Sequence, residues 1–340
     1  MARIAIVTPA RAGSRSGNRH TAARWARMLR AAGHRVTVLT QWRGERCDLL
    51  VALHARRSFA SIERYRAAHP AAPLAVVLTG TDLYRDLPAS AEARRSLALA
   101  DRLIVLQDEA LSRLAPRLRR KAAVVYQSAD PAVRHAPPAR AFRVAVLGHL
   151  REEKDPFRAA DALAHLSADV EVLQLGAALS PDMAREARRR MAREPRYRWL
   201  GSVPHARALT LLAKSHLLVV SSRMEGGANV IAEAARIGTP VLASRVPGNV
   251  GMLGREYPGY FPLGDERALA RCIARVRRNP DYHFQLRSSL RARRKLFAPA
   301  TERAALLRAL GPLLRPRARG SSTSARPGPV GRASGRRTPR

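Results

Sequence analysis

Short apolar runs recur along the chain, and between them lie longer stretches where apolar residues return every three or four positions. The short runs read as buried strands: residues 4–8, 36–40, 48–53, 74–79, 103–106 and 123–126. Residues 19–32 carry a helical period that Gly33 closes, and helical segments separate most of the other runs. Strands alternating with helices imply a parallel sheet covered on both faces. Residues 130–140, with Pro131, Pro137 and Pro138, interrupt the alternation as a linker. The pattern then restarts with a strand at 142–147, a helix from Pro156, a strand at 170–175, a helix at 181–193 and a strand at 217–220. Residues 281–314 are helical and arginine-rich. The prediction is an α/β chain of two doubly wound units, residues 1–135 and 141–280, followed by a helical segment at 281–314.

Composition refines this picture. With 340 residues and 46% hydrophobic positions, the chain can fill two cores. From Arg315 onward there is no acidic residue, and Pro, Gly and Ser dominate, so residues 315–340 are expected to be a disordered basic tail. The net charge of +36 invites a nucleic-acid reading. Against it, 58 of the 62 basic residues are arginine and are spread over most predicted helices, as a GC-rich codon bias would give. Aromatic residues make up only 5%, so basic and aromatic positions do not interleave. This favours an anionic small molecule and leaves the tail as the place for weak contacts with RNA or acidic surfaces. Cys47 and Cys272 lack zinc-ligand spacing and do not make a disulfide framework, which points to a reducing, cytoplasmic setting. The apolar run at 4–7 is too short for a signal-peptide core, and no stretch approaches a membrane span. No metal or cofactor is expected.

The chemistry concentrates in residues 221–244. A buried strand leads into Gly226-Gly227, and a helix follows with Val230, Ile231, Ala234, Ala235 and Ile237 on one side. Gly238 and Pro240 stop it. A strand, a glycine turn and a helix start present backbone N–H groups to a phosphate or diphosphate. Glu225 and Glu233 flank the turn. A diphosphate alone has no use for two carboxylates, whereas the ribose and hexose hydroxyls of a nucleotide sugar want anionic acceptors. The bland alternative is a glycine turn with two solvated glutamates. The joint pattern resembles the E-x7-E motif of family 4 retaining glycosyltransferases, which have the GT-B fold. Many members carry an aromatic residue and then Gly after the first glycine, where this chain has Gly227 and Ala228. The resemblance implies that Glu225, Gly226, Gly227, Ala228, Asn229, Val230 and Glu233 bind the donor, that residues 141–280 are the nucleotide-sugar-binding unit, and that the helical segment 281–314 packs back on the first unit.

A second donor-side motif is Gly148-His149-Leu150-Arg151-Glu152-Glu153-Lys154-Asp155, at the end of the second unit's first strand. Ligands of open α/β sheets bind at such ends. Lys154 would place positive charge on the departing diphosphate, where negative charge develops. The related glycosyltransferases often read G-R-L, three residues, K-G here; His149 stands at the arginine position and Asp155 at the last glycine. Residues 199–204, including Val203, resemble the loop that lies against the nucleotide base. The catalytic candidates are Lys154, His149 and Glu225.

The first unit is expected to hold the acceptor. Its first loop contains Arg15, Gly17, Asn18 and Arg19 at a helix start and reads as a second anion cradle. In the loop at 78–86, Thr81 and Asp82 are placed to bind a polar acceptor, or Asp82 caps the following turn. The segments GNRHTAARWARML, LTGTDLYRDL and GHLREEKDP together resemble the selenosugar synthases of selenoneine biosynthesis, over residues 4–310. That resemblance implies a UDP-sugar donor, UDP-N-acetylglucosamine or UDP-glucose, and a selenophosphate acceptor, giving a 1-selenosugar, UDP and phosphate. Selenophosphate is a soft, anionic nucleophile, which asks for cations more than for a base, and no Ser-His-Asp arrangement is evident in the sequence. Two alternatives stand beside it: a family 4 transferase with an oxygen acceptor, and a basic nucleic-acid-associated protein.

Overall fold

The structure, a computed structural model, describes residues 1–10, 17–139 and 141–314. Among the described residues, twelve strands form two six-stranded sheets, and every pairing is parallel. The first sheet contains β1 (Arg3–Val7), β2 (Arg35–Leu39), β3 (Leu49–Leu53), β4 (Leu74–Val77), β5 (Arg102–Val105) and β6 (Ala122–Val124), in the order β2-β1-β3-β4-β5-β6. The second contains β7 (Phe142–Leu147), β8 (Val170–Leu175), β9 (Tyr197–Trp199), β10 (Leu217–Val220), β11 (Val241–Ser244) and β12 (Tyr260–Phe261), in the order β12-β11-β10-β7-β8-β9.

Strand period two explains why the runs are continuously apolar. Along β1, Ala5 and Val7 enter one core while Ile4 and Ile6 enter the other, and β3 divides its leucines, alanine and valine in the same way. Leu306, Ala309 and Leu310 of the C-terminal helix Pro299–Leu314 join the second of these cores. That helix therefore covers the first sheet, although it follows the second in sequence. Glu302 fixes the return. Its fully buried carboxylate accepts from Trp25 Nε1 at 2.7 Å, Ser128 N at 2.8 Å and Ser128 Oγ at 2.5 Å, and pairs with Arg24 at 2.8 Å.

The expected strands form within a residue or two of their expected ends. The edge strands β9 and β12 and the inner strand β11 complete the second sheet without being marked by the sequence pattern. Tyr-Arg-Trp and Tyr-Phe are too short to show a period, and β11 is an apolar run that directly follows the helix stop. Among the described residues, no helix is long and apolar enough to cross a membrane.

Candidate active site

Strand β10 is buried along its length and delivers the chain into the carboxyl end of the second sheet. There Glu225 is held from two sides. Ser222 Oγ donates to Oε1 at 2.6 Å, and Lys154 Nζ lies 2.5 Å from the same oxygen. The Glu225 side chain is 8% exposed, so this is a shielded ion pair at the cleft edge. Lys154 ends the short 3₁₀ turn Glu152–Lys154, and Asp155 follows in the left-handed conformation at φ 43°. The family pattern puts glycine there, and Asp tolerates the same region. Arg158 anchors the Asp155 carboxylate at 2.9 Å, and Ser221 Oγ donates to the Asp155 carbonyl at 2.8 Å.

The helix Asn229–Ile237 begins four residues after Glu225, packs Ile231, Ala232, Ala234, Ala235 and Ile237 inward, and ends on Gly238 at φ 99°. Ile231 N and Ala232 N donate back to the Ala228 carbonyl, and the N-terminal end of the helix carries partial positive charge. Glu233, one turn in, accepts from His205 Nε2 at 2.8 Å. That bond raises the His205 imidazolium above its ordinary value. His20, from the first unit, sits 6.2 Å from His205 ring to ring, and burial followed by the charge of His205 lowers it.

The two sheets face each other across a cleft of about 1440 Å³. At its floor the backbones of the two units touch. A β-carbon on Gly80 would lie 2.6 Å from the Gly226 nitrogen, and one on Gly226 would lie 2.3 Å from the Gly80 nitrogen. Neither can fit without moving the main chain. Gly227 faces Leu106 of the first unit, with 2.7 Å to its Cβ for an added methyl. An aromatic side chain at this position would collide with Leu106. Gln127, oriented to satisfy its neighbours, donates to Gly227 O and Asn229 Oδ1 at 3.1 Å and accepts from Arg24 at 3.2 Å.

The cleft gathers Gly148, His149, Lys154, Val203, Glu225, Gly226, Gly227, Ala228, Asn229, Val230 and Glu233 from the second unit, and Gly17, Asn18 and Thr81 from the first. His149 Nδ1 accepts from Ala177 N at 3.2 Å, which leaves Nε2–H as the donor of a neutral ring. Arg15 lies outside the described residues. Arg19 does not line the cleft. The helix Gly17–Arg30 turns residues 17, 18, 20, 21, 23, 24, 27 and 28 toward it, and position 19 is not among them. Among the described residues, the arginines that line it are Arg24, Arg27, Arg57 and Arg151. In an arginine-rich chain little distinguishes these in the sequence, although the two-turn spacing from Gly17 is a usable signal for Arg24.

Asp82 is a second correction. It is fully buried and does not line the cleft. Its Oδ2 accepts from Thr79 N at 2.9 Å, the capping alternative, and its Oδ1 pairs with His54 Nδ1. On the other side of that ring, His54 Nε2 lies 3.1 Å from Thr81 Oγ1. A Thr-His-Asp arrangement is therefore present after all. It draws on the ends of β3 and β4, twenty-eight positions apart, and no local motif announces it. The ligand atoms of His54, Asp82 and Asp86 lie within 4.8 Å of one another, the span of a metal site. Yet Asp86 is already neutralised by Arg56 at 3.0 Å and Arg85 at 3.3 Å, so the trio reads as an ion-pair network.

Comparison with known proteins places these features. Residues 141–279 match the family described as glycosyl transferases group 1. Among solved structures, Anabaena Alr3699/HepE in complex with UDP and glucose superposes with a TM-score of 0.76 at 18% identity, covering 92% of this chain and 100% of that one. Sucrose-phosphate synthase from Thermosynechococcus elongatus gives 0.74 at 17% identity, covering 92% and 99%. A glycosyltransferase from Rickettsia africae gives 0.69 at 13% identity, covering 93% and 99%. With two parallel six-stranded sheets closing on a cleft, the chain has the GT-B fold.

Proposed function

We propose that the protein is a glycosyltransferase that moves a sugar from UDP-N-acetylglucosamine or UDP-glucose to selenophosphate, forming a carbon–selenium bond. The observation that carries the donor half is the Lys154–Glu225 pair beside Gly226 at the start of the Asn229–Ile237 helix. Backbone N–H groups from Gly226 to Val230 hold the diphosphate, and Lys154 meets the charge that grows on it as the anomeric bond breaks. Glu233 accepts from the ribose hydroxyls in place of His205, and Glu225 faces the hexose. His149 donates through Nε2, and the backbone around Val203 reads the uracil. The match over residues 141–279 and the neighbour solved with UDP and glucose support this reading.

On the acceptor side, Gly17 and Asn18 open a helix whose inner face carries Arg24 and Arg27, with Arg57 close by. Guanidinium groups grip phosphoryl oxygens with paired hydrogen bonds. Arg15 belongs to the same proposed cradle by sequence. The identity of the acceptor rests on the resemblance carried by the three quoted segments. Mass spectrometry of products from UDP-N-acetylglucosamine and selenophosphate tests it directly, and a mass corresponding to the 1-selenosugar is expected. One observation favours a second reading, a hydroxyl acceptor: His54 beside Thr81 provides a base that selenophosphate does not need for attack. Competition between selenophosphate and simple alcohols for the same donor separates the two.

A further inference from the structure

The transfer as proposed is not complete at the carbon–selenium bond. Attack by selenium yields a glycosyl selenophosphate, and release of a selenosugar and phosphate still requires water at phosphorus. We propose that Thr81, His54 and Asp82 form the relay that activates this water. The proposal rests on the selenophosphate reading above and adds a second chemical step to it.

Five features converge on the relay. Thr81 lines the cleft, and its Oγ1 lies 3.1 Å from His54 Nε2. His54 Nδ1 lies against the buried Asp82 Oδ1 and also faces the Arg57 N–H at 3.3 Å. The relay assigns the Nδ1 proton to the Asp82 carboxylate, which makes Nε2 the base. His54 is held at φ 74°, a left-handed conformation that costs a β-carbon residue energy and clusters at functional sites. Residues Asp82–Asp86 form a π-helical turn, an irregularity also concentrated at such sites. That turn aims Asp82 and Asp86 at one ring, with Asp86 Oδ2 at 3.8 Å from Nε2 and held by Arg56, while Arg85 takes Oδ1. Gly80, the neighbour of Thr81, touches Gly226, so the hydroxyl stands beside the donor loop where the glycosyl selenophosphate is made.

The step balances as follows. Water oxygen attacks phosphorus, and the P–Se bond breaks with its electron pair going to selenium, giving a selenolate. The water proton passes to Thr81 Oγ1 as the threonine proton passes to His54 Nε2. Asp82 stabilises the imidazolium, and the proton leaves to solvent after hydrogen phosphate departs. Thr81 and His54 are catalytic residues in this step, and Asp82 is a positioning residue that fixes the tautomer.

The test separates the two releases. The full chain, UDP-N-acetylglucosamine and selenophosphate are mixed anaerobically, and UDP, phosphate and sugar products are followed by mass spectrometry. Wild type should release UDP and phosphate together. Thr81→Val, which keeps shape and removes the hydroxyl, should slow phosphate release at least tenfold more than it slows UDP release, with glycosyl selenophosphate accumulating. Thr81→Ser should restore coupling, and His54→Gln and Asp82→Asn should resemble Thr81→Val. Phosphate keeping pace with UDP in folded Thr81→Val overturns the relay, as does equal slowing of both. Stoichiometric divalent metal in wild type that Asp86→Asn abolishes also overturns it, because the ring would then be a ligand. Wild type that releases no UDP with selenophosphate sinks the acceptor reading itself, a different result from a coupled Thr81→Val.

Discussion

Glu225 and Lys154 cannot be varied independently, because each neutralises the other at 2.5 Å in a shielded setting. Lys154→Ala should lower the single-turnover rate about 100-fold at saturating donor, the scale of losing one preorganised charge stabiliser. Sugar binding should weaken less. Adding Glu225→Gln to Lys154→Ala should cost much less than the product of the single effects, since the first change already unpairs the second residue. Glu233 presents a different competition. Its carboxylate holds His205 where the ribose is proposed to bind. His205 is raised by that bond, so the pair is complete below the ordinary histidine value and fades as pH rises through the higher folded value. UDP affinity measured by calorimetry should therefore increase with pH across this window. His205→Ala should flatten that dependence if the neighbouring His20, Arg24 and His149 are not its source. Glu233→Ala should weaken UDP by roughly tenfold or more, since charge-assisted bonds contribute about 1.5–3 kcal/mol each. That Glu225 and Glu233 share one end of the cleft was legible because they lie eight positions apart on one strand–turn–helix. His54 was not, because its meaning comes from Thr81 and Asp82 on the next strand's loop.

At the scale of elements, the strands were legible wherever both faces are buried, since an apolar run of five residues, as in β1 and β3, is too short for a core helix. The short strands β9 and β12 owe their state to neighbours rather than to their own pattern. The C-terminal helix shows the same dependence. Its sequence gives a helix, but only Glu302 fixes where it docks, by reaching Trp25, Arg24 and Ser128. Glu302→Ala leaves these donors and Arg24 without their acceptor. Chemical denaturation should show a loss of about 3–5 kcal/mol, the cost of breaking a buried charged cluster. Glu302→Gln should lose less, because an amide oxygen still accepts from Trp25.

For the whole molecule, the net charge of +36 says little about the site, because its arginines are general. Deleting residues 315–340 removes eight arginines and should leave the Michaelis constants for both substrates unchanged in steady-state assays. An equal rise in both would mean that bulk attraction, not Arg24, Arg27 and Arg57, gathers the anions. The Gly80–Gly226 contact sets a different limit on the whole. Most contacts across the cleft can be tuned by choosing a longer or shorter side chain. Here main chain already rests on main chain, and there is nothing left to shorten. The architecture can be opened by adding a methyl at either position, but it cannot be closed further. The gauge between the loops that carry Gly80 and Gly226 thus stands at its minimum, and any drift by substitution at these two positions runs one way, toward a wider opening.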